Sequence, residues 1–169
     1  SFQRPEQSPV VQTITMPVVP GPDELANVSY SDRYEQRRVP DSAIVGHRDG
    51  AGRHVAWFRA LATLHDAPPV VHDCWLTYIS DDLPTDVVFH GTWPDVDRSG
   101  EGSAPEGTMV VSLDHTIWFH RPTRADEWHL YDMTCHYVGG ARGLARARAM
   151  ASSHASLSVM GIRLTVSPV

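Results

Sequence analysis

Asp81 and Ser112 are residue types that can carry out a hydrolysis, and the pattern around each says where it should sit. Asp81 follows Val71, Cys74, Trp75, Tyr78 and Ile79, whose i, i+3, i+4, i+7, i+8 spacing predicts an apolar helical stripe. Its carboxylate therefore falls just past a helix end. Ser112 lies in residues 108–121, where Met109, Val111, Leu113, Ile117 and Phe119 alternate with Thr108, Ser112, Asp114, Thr116 and His120. That is a strand with one buried and one polar face, Ser112 on the polar one. A sheet wrapped around the helix would bring carboxylate and hydroxyl together. The carboxylate could then act as general base on a water, and the hydroxyl could hold that water or a developing oxyanion. Spacing alone makes this a weak signal, because a mid-chain Asp is usually a helix cap or a surface group.

The other candidates carry less. Asp114, His115, His120, His129 and His136 are the densest group among ten histidines. His115 and His120, five apart, point to opposite faces of one strand, and no HxH, HExxH or paired-cysteine spacing occurs, so no metal is expected. Asp95, Asp97, Ser99, Gly100 and Glu106 match a calcium-loop pattern. Gly102 at its apolar position, Pro105 before Glu106, and Pro94 and Gly107 in place of flanking helices argue against it. No G-x-S-x-G elbow exposes a serine nucleophile. Arg142, Arg146 and Arg148 could hold phosphates or form a solvated strand face.

The elements that must position these residues are read from punctuation and period. Six of the thirteen prolines lie in residues 1–40, which lack a sustained apolar period and read as an extended linker or arm. After the turn at Asp49-Gly50-Ala51-Gly52, His54 to Leu61 alternates, with Val55, Trp57 and Leu61 on one face. Pro68-Pro69 starts the helix and Pro84 stops it, and residues 82–107, rich in proline, glycine and acidic side chains, read as mostly loop. Trp128 to Val138 is β-rich, and Gly139-Gly140 marks a bulge or a close backbone approach. Residues 141–155 point both ways. Their composition favours helix, whereas Ala145, Ala147 and Ala149 alternate with Arg146 and Arg148 as a strand would.

Bulk composition excludes several classes. The chain has 169 residues, 41% of them apolar, which suits one domain, with net charge -6 and no basic run to track a phosphate backbone. Its longest apolar runs fall far short of a membrane span, and its first 30 residues lack the apolar core of a signal peptide. Cys74 and Cys135 are read as buried free thiols in a reducing, cytoplasmic setting.

Three stretches carry a family resemblance: Ser112-Leu113-Asp114-His115-Thr116-Ile117-Trp118-Phe119-His120-Arg121-Pro122, then Asp126-Glu127-Trp128 with Leu130-Tyr131, then Gly140 to Arg146. They resemble the C-terminal half of type II acyl-CoA thioesterases. Trp75 to Asp81 is similar to that family's central-helix motif, and Ser1 to Glu6 to the end of its N-terminal half. The resemblance implies an α+β hotdog fold, an antiparallel sheet wrapped around one central helix. It implies a single such domain over residues 41–169, preceded by a linker over 1–40 whose residues 1–6 close a preceding hotdog. It also resolves 141–150 as strand.

The same resemblance implies hydrolysis of acyl-CoA to a fatty acid and CoA without metal or other cofactor. Asp81 takes the place of the family's aspartate and Ser112 that of its threonine or serine. The family's third group, a glutamine in a terminal strand, has no counterpart: the glutamines are Gln3, Gln7, Gln12 and Gln36, and the matching position falls near Ile162. Weak activity is therefore expected, with a non-catalytic half that binds acyl-CoA or serves only in assembly as the alternative. Association with a copy of itself or with a second hotdog domain is expected as well, and no residue is assigned to substrate binding.

Overall fold

The structure is a computed structural model describing residues 16–29, 31–46, 52–93, 110–152 and 160–168, with backbone alone for 110 and 160–168. Its sheet contains β1 (Tyr34–Arg38), β2 (Arg53–Ala60), β3 (Val110–Phe119), β4 (His129–Gly139), β5 (Arg142–Ala151) and β6 (Met160–Pro168). They form one antiparallel sheet in the order β1-β2-β4-β5-β6-β3. Helix α1 (Pro69–Asp82) and, after a break at Leu83, helix α2 (Pro84–Thr92) lie against it. Segment 84–92, expected as loop, is thus helical. Pro84 ends α1 as expected and then opens α2, because a first helical turn needs no proline N–H.

The buried face of α1 is His72, Leu76, Ile79 and Ser80, rotated from the expected stripe, so Cys74 and Tyr78 are exposed. Two polar residues can lie inside because their bonds are made there. His72 Nδ1 accepts the Ala125 N–H at 3.1 Å, and the Ser80 hydroxyl donates to the Thr77 carbonyl at 3.0 Å. Leu76 and Ile79 are wholly buried, each worth about 1.5–3 kcal/mol, and they hold the helix down with Phe58, Tyr131 and Met133.

The ambiguous segment is strand β5, and its alternation has a packing cause. Ala145, Ala147 and Ala149 are buried beneath the helices, while Arg142, Arg146 and Arg148 are exposed, as the solvated-face reading has it. Gly140 and Ala141, both at φ 58°, form the two-residue turn between β4 and β5, a hairpin where the glycine pair suggests a bulge or a close backbone approach.

The sheet's other face is covered too. Val39, Ile44, Val55, Trp57, Leu130 and Met150 form a second apolar cluster, over which Met16, Val19 and Leu25 pack. Trp57 Nε1 donates to the Pro20 carbonyl at 2.9 Å, and Val28 N–H bonds to the Gln36 carbonyl at 2.9 Å. Residues 16–28 are thus a strap over the sheet, and β1, within the expected arm, is one of its strands. Leu61, expected beside Val55 and Trp57, is exposed.

Helix α2 approaches β5 so closely that a Cβ on Gly143 would sit 2.0 Å from Val88 Cγ1. Gly143→Ala should therefore cost about 1–3 kcal/mol by overpacking. A urea-unfolding series would show the loss, and the same substitution in a Val88→Ala background should cost much less.

Candidate active site

A local irregularity brings the two sequence candidates together. Strand β3 pairs with β6 through Ser112–Val166 and then Asp114–Thr165, leaving Leu113 as an extra, bulged residue. A bulge reverses which residues share a face, so Ser112 turns to the side occupied by His115 and Ile117. The expected face of Met109, Val111, Leu113, Ile117 and Phe119 is thereby split. Ile117 packs on the core, Val111, Leu113 and Phe119 are exposed, and Met109 lies outside the described residues.

Asp81 is in the last turn of α1 rather than beyond it. Ser112 Oγ donates to Asp81 Oδ2 at 3.4 Å, a long contact that must close by about half an ångström to reach ordinary O–H···O length. The other oxygen, Asp81 Oδ1, is buried and has no hydrogen-bond partner among the described residues. Its neighbour is His115 Nδ1 at 3.7 Å, the Asp81 and His115 side chains being 47% and 15% exposed respectively. His115 Nε2 in turn lies 3.3 Å from Ser80 Oγ. Burial pulls the His115 pKa below its ordinary value, more strongly than Asp81 pulls it up.

A cavity of about 380 Å³ opens beside this pair, lined by Asp81, Ser112, Asp82, Tyr34, Tyr78, Thr85 and Val111. The Tyr34 hydroxyl donates to Asp82. Burial, followed by the neighbouring Asp86 carboxylate, pushes the Asp82 carboxyl up to about 6. Burial, with Tyr78 and Asp86, pushes the Tyr34 phenol up to about 12. The wall therefore carries a carboxylate held beside a hydroxyl and a second carboxyl bonded to a phenol. Such a site can deprotonate a water facing an electrophilic carbonyl.

Asp82 and Tyr34 on the cavity wall, and His115 beside Asp81, are neighbours of the candidate pair that the sequence did not single out. In the sequence His115 reads only as a candidate metal ligand, and its place beside Asp114 in the strand motif is the available signal. The rest of that histidine set is dispersed. His129 is buried against Phe58, with its pKa pushed down to about 4 chiefly by burial, while Asp114, His120 and His136 are exposed. The calcium-like run at 95–106 lies outside the described residues. Ile162 pairs with Ile117 and Ala147, five β3 positions from Ser112, whose own partner is Val166.

An antiparallel sheet wrapped on a central helix defines the hotdog class of fold. Residues 5–158 match the family model described as acyl-CoA thioesterase C-terminal domain, and the chain belongs to that family. It is 31% identical to acyl-coenzyme A thioesterase 8 of Rattus norvegicus over 88% of this chain and 51% of that protein. The chain thus spans about half the length of the curated relatives it matches. Among solved structures it is similar to the acyl-CoA thioesterase II TesB2 of Mycobacterium marinum, with 28% identity and TM-score 0.78 over 97% of this chain and 59% of that one. A putative thioesterase from Syntrophus aciditrophicus, 11% identical with TM-score 0.61 over 84% of this chain and 88% of that one, shares the fold. The hotdog architecture expected from the sequence is borne out.

Asp82 supplies a pH test. Its folded pKa of about 6 lies above its ordinary 3.8, so between those values the folded chain keeps a proton that the unfolded chain has lost. Its contribution to stability is present at low pH and lost as pH rises through about 6. Asp82→Asn should therefore gain on wild type as pH is raised across that window, read as the difference in urea midpoints. A difference that stays flat would show that burial does not perturb this carboxyl.

Proposed function

We propose that the chain hydrolyses acyl-CoA thioesters to a free fatty acid and CoA, with Asp81 as general base and Ser112 as the hydroxyl that positions the water. The carrying observation is the Asp81–Ser112 contact on the wall of the cavity. Family membership and the names of the relatives point to the same substrate class. Asp81 takes a proton from water as its oxygen attacks the thioester carbonyl carbon, giving a tetrahedral oxyanion. Collapse breaks the C–S bond, and the proton held by Asp81 passes to the departing CoA thiolate.

Turnover in this reading is slow. The terminal strand holds no glutamine to act as a third orienting group, and loss of one such donor costs about 10²–10³ in rate. Asp81→Ala should lower kcat by about 10²–10⁴, and Ser112→Ala by about 10-fold or more. Free-thiol release from a panel of acyl-CoAs measures both. An Asp81→Ala enzyme as fast as wild type would remove the base assignment. Calorimetric binding of acyl-CoA without thiol release would return the non-catalytic reading.

A second hotdog domain or a second copy of this chain is the partner in the same proposal. Strand β3 ends the sheet, with Leu113 and Trp118 53% and 51% exposed, and Tyr78 and Val70 of α1 are exposed as well. An edge of that length and composition is normally covered. The residue 1–40 arm, here partly a strap, would connect to that partner. The free thiols Cys74 and Cys135 support a reducing, cytoplasmic setting, and no helix among the described residues is long and apolar enough to cross a membrane. Native mass measurement should find the chain as an assembly, shifted towards monomer by Trp118→Lys. A wild-type chain monomeric at all concentrations would refute self-pairing.

A further inference from the structure

We propose that His115 is a positioning residue for Asp81, its Nδ1–H directed at the buried oxygen Oδ1 so that Oδ2, shared with Ser112, faces the cavity. The kinetic part of this inference rests on the thioesterase reading, and the structural part does not.

Asp81, His115 and Ser80 have few protons to share among them. Burial outweighs the pull of Asp81 and keeps the imidazole neutral, so the ring has one N–H to place. Ser80 Oγ also has one proton and two acceptors in reach, the Thr77 carbonyl at 3.0 Å and His115 Nε2 at 3.3 Å. If the ring proton sat on Nε2, the Nδ1 lone pair would face Asp81 Oδ1 across 3.7 Å. Two acceptors would then oppose each other, and a buried carboxylate oxygen would lack any donor among the described residues. With the proton on Nδ1 every group is served. The ring donates to Oδ1, and the Ser80 hydroxyl rotates to donate to Nε2. A small rotation of either side chain closes the 3.7 Å separation to bonding distance.

The bulge at Leu113 makes this possible, because it sets Ser112 and His115 on one face of β3. The carboxylate is then held from both sides, Ser112 at Oδ2 and His115 at Oδ1. Here His115 supplies orientation in a chain that lacks the glutamine.

Nitrogen-15 NMR of the ring tests the placement directly in the wild-type chain. The expected spectrum shows His115 protonated at Nδ1, moving to Nε2 in Asp81→Ala, where the acceptor is gone. A wild-type ring protonated at Nε2 overturns the proposal. In the kinetic arm, His115→Gln loses a donor at the Nδ1 position and should lower kcat about 100-fold with little change in KM. His115→Asn places its amide nitrogen close to where Nδ1 lies and should recover activity to within about tenfold of wild type. Wild-type kcat in His115→Gln, or an equal fall in both variants, also overturns it. If the wild type hydrolyses no acyl-CoA, the thioesterase reading falls, and the ring spectrum alone decides the placement of the proton.

Discussion

One extra residue in an edge strand decides which side chains of β3 face the helix. Side chains alternate along a strand, so an unbroken β3 would point Ser112 away from the helix whenever Ile117 points towards it. The core needs Ile117 inside, against the cluster that holds Leu76 and Ile79. The bulge at Leu113 satisfies both demands by shifting the phase between them. The whole site depends on that shift: the hydroxyl reaches the carboxylate, the imidazole lies beside it, and the cavity has its polar wall. The cost is exposure of Leu113 itself, which leaves an apolar side chain on the sheet's last strand.

The second requirement is closeness. A carboxylate in the last turn of α1 reaches a strand only if the helix lies low on the sheet. Small residues on the facing strands allow this: Ala56 and Ala60 on β2, and Gly143, Ala145, Ala147 and Ala149 on β5. Gly91 and Gly52 serve the same end near Cys135, where an added Cβ would sit 2.8 Å from Sγ and from Cβ respectively. The alternation of alanine and arginine in β5 is therefore the imprint of two helices on one face and water on the other.

The parts legible in the sequence were those governed by one dominant period. The helix boundaries at Pro69 and Pro84 and strands β2 and β4 were visible there, whereas Asp81 and Ser112 were joined by the family resemblance, because period alone turns Ser112 away from the helix. What was not legible depended on tertiary contacts. Helix α2 hides in a proline-rich stretch, because the i, i+3, i+4 spacing of Pro84, Val87 and Val88 amounts to only about one turn and gains its meaning where β5 supplies a surface. The true inward face of α1 was obscured because His72 and Ser80 look polar in sequence and become buried only where the Ala125 N–H and the Thr77 carbonyl meet their bonding needs. The bulge gives no local signal of its own, since Leu113 continues the alternation begun by Met109 and Val111. His115 was hidden with it.

The strap over the sheet's second face has a consequence for where this domain begins. A chain cut at residue 41, where proline content falls, would lose Met16, Val19, Leu25 and strand β1 together. Val55, Trp57, Leu130 and Met150 would then meet water as one contiguous greasy patch, and the Trp57 indole would lose the Pro20 carbonyl. The shortened polypeptide would be prone to clump, however intact the wall of its cavity. Residues 16–28 thus cover the second face of the sheet where a regular layer would otherwise lie.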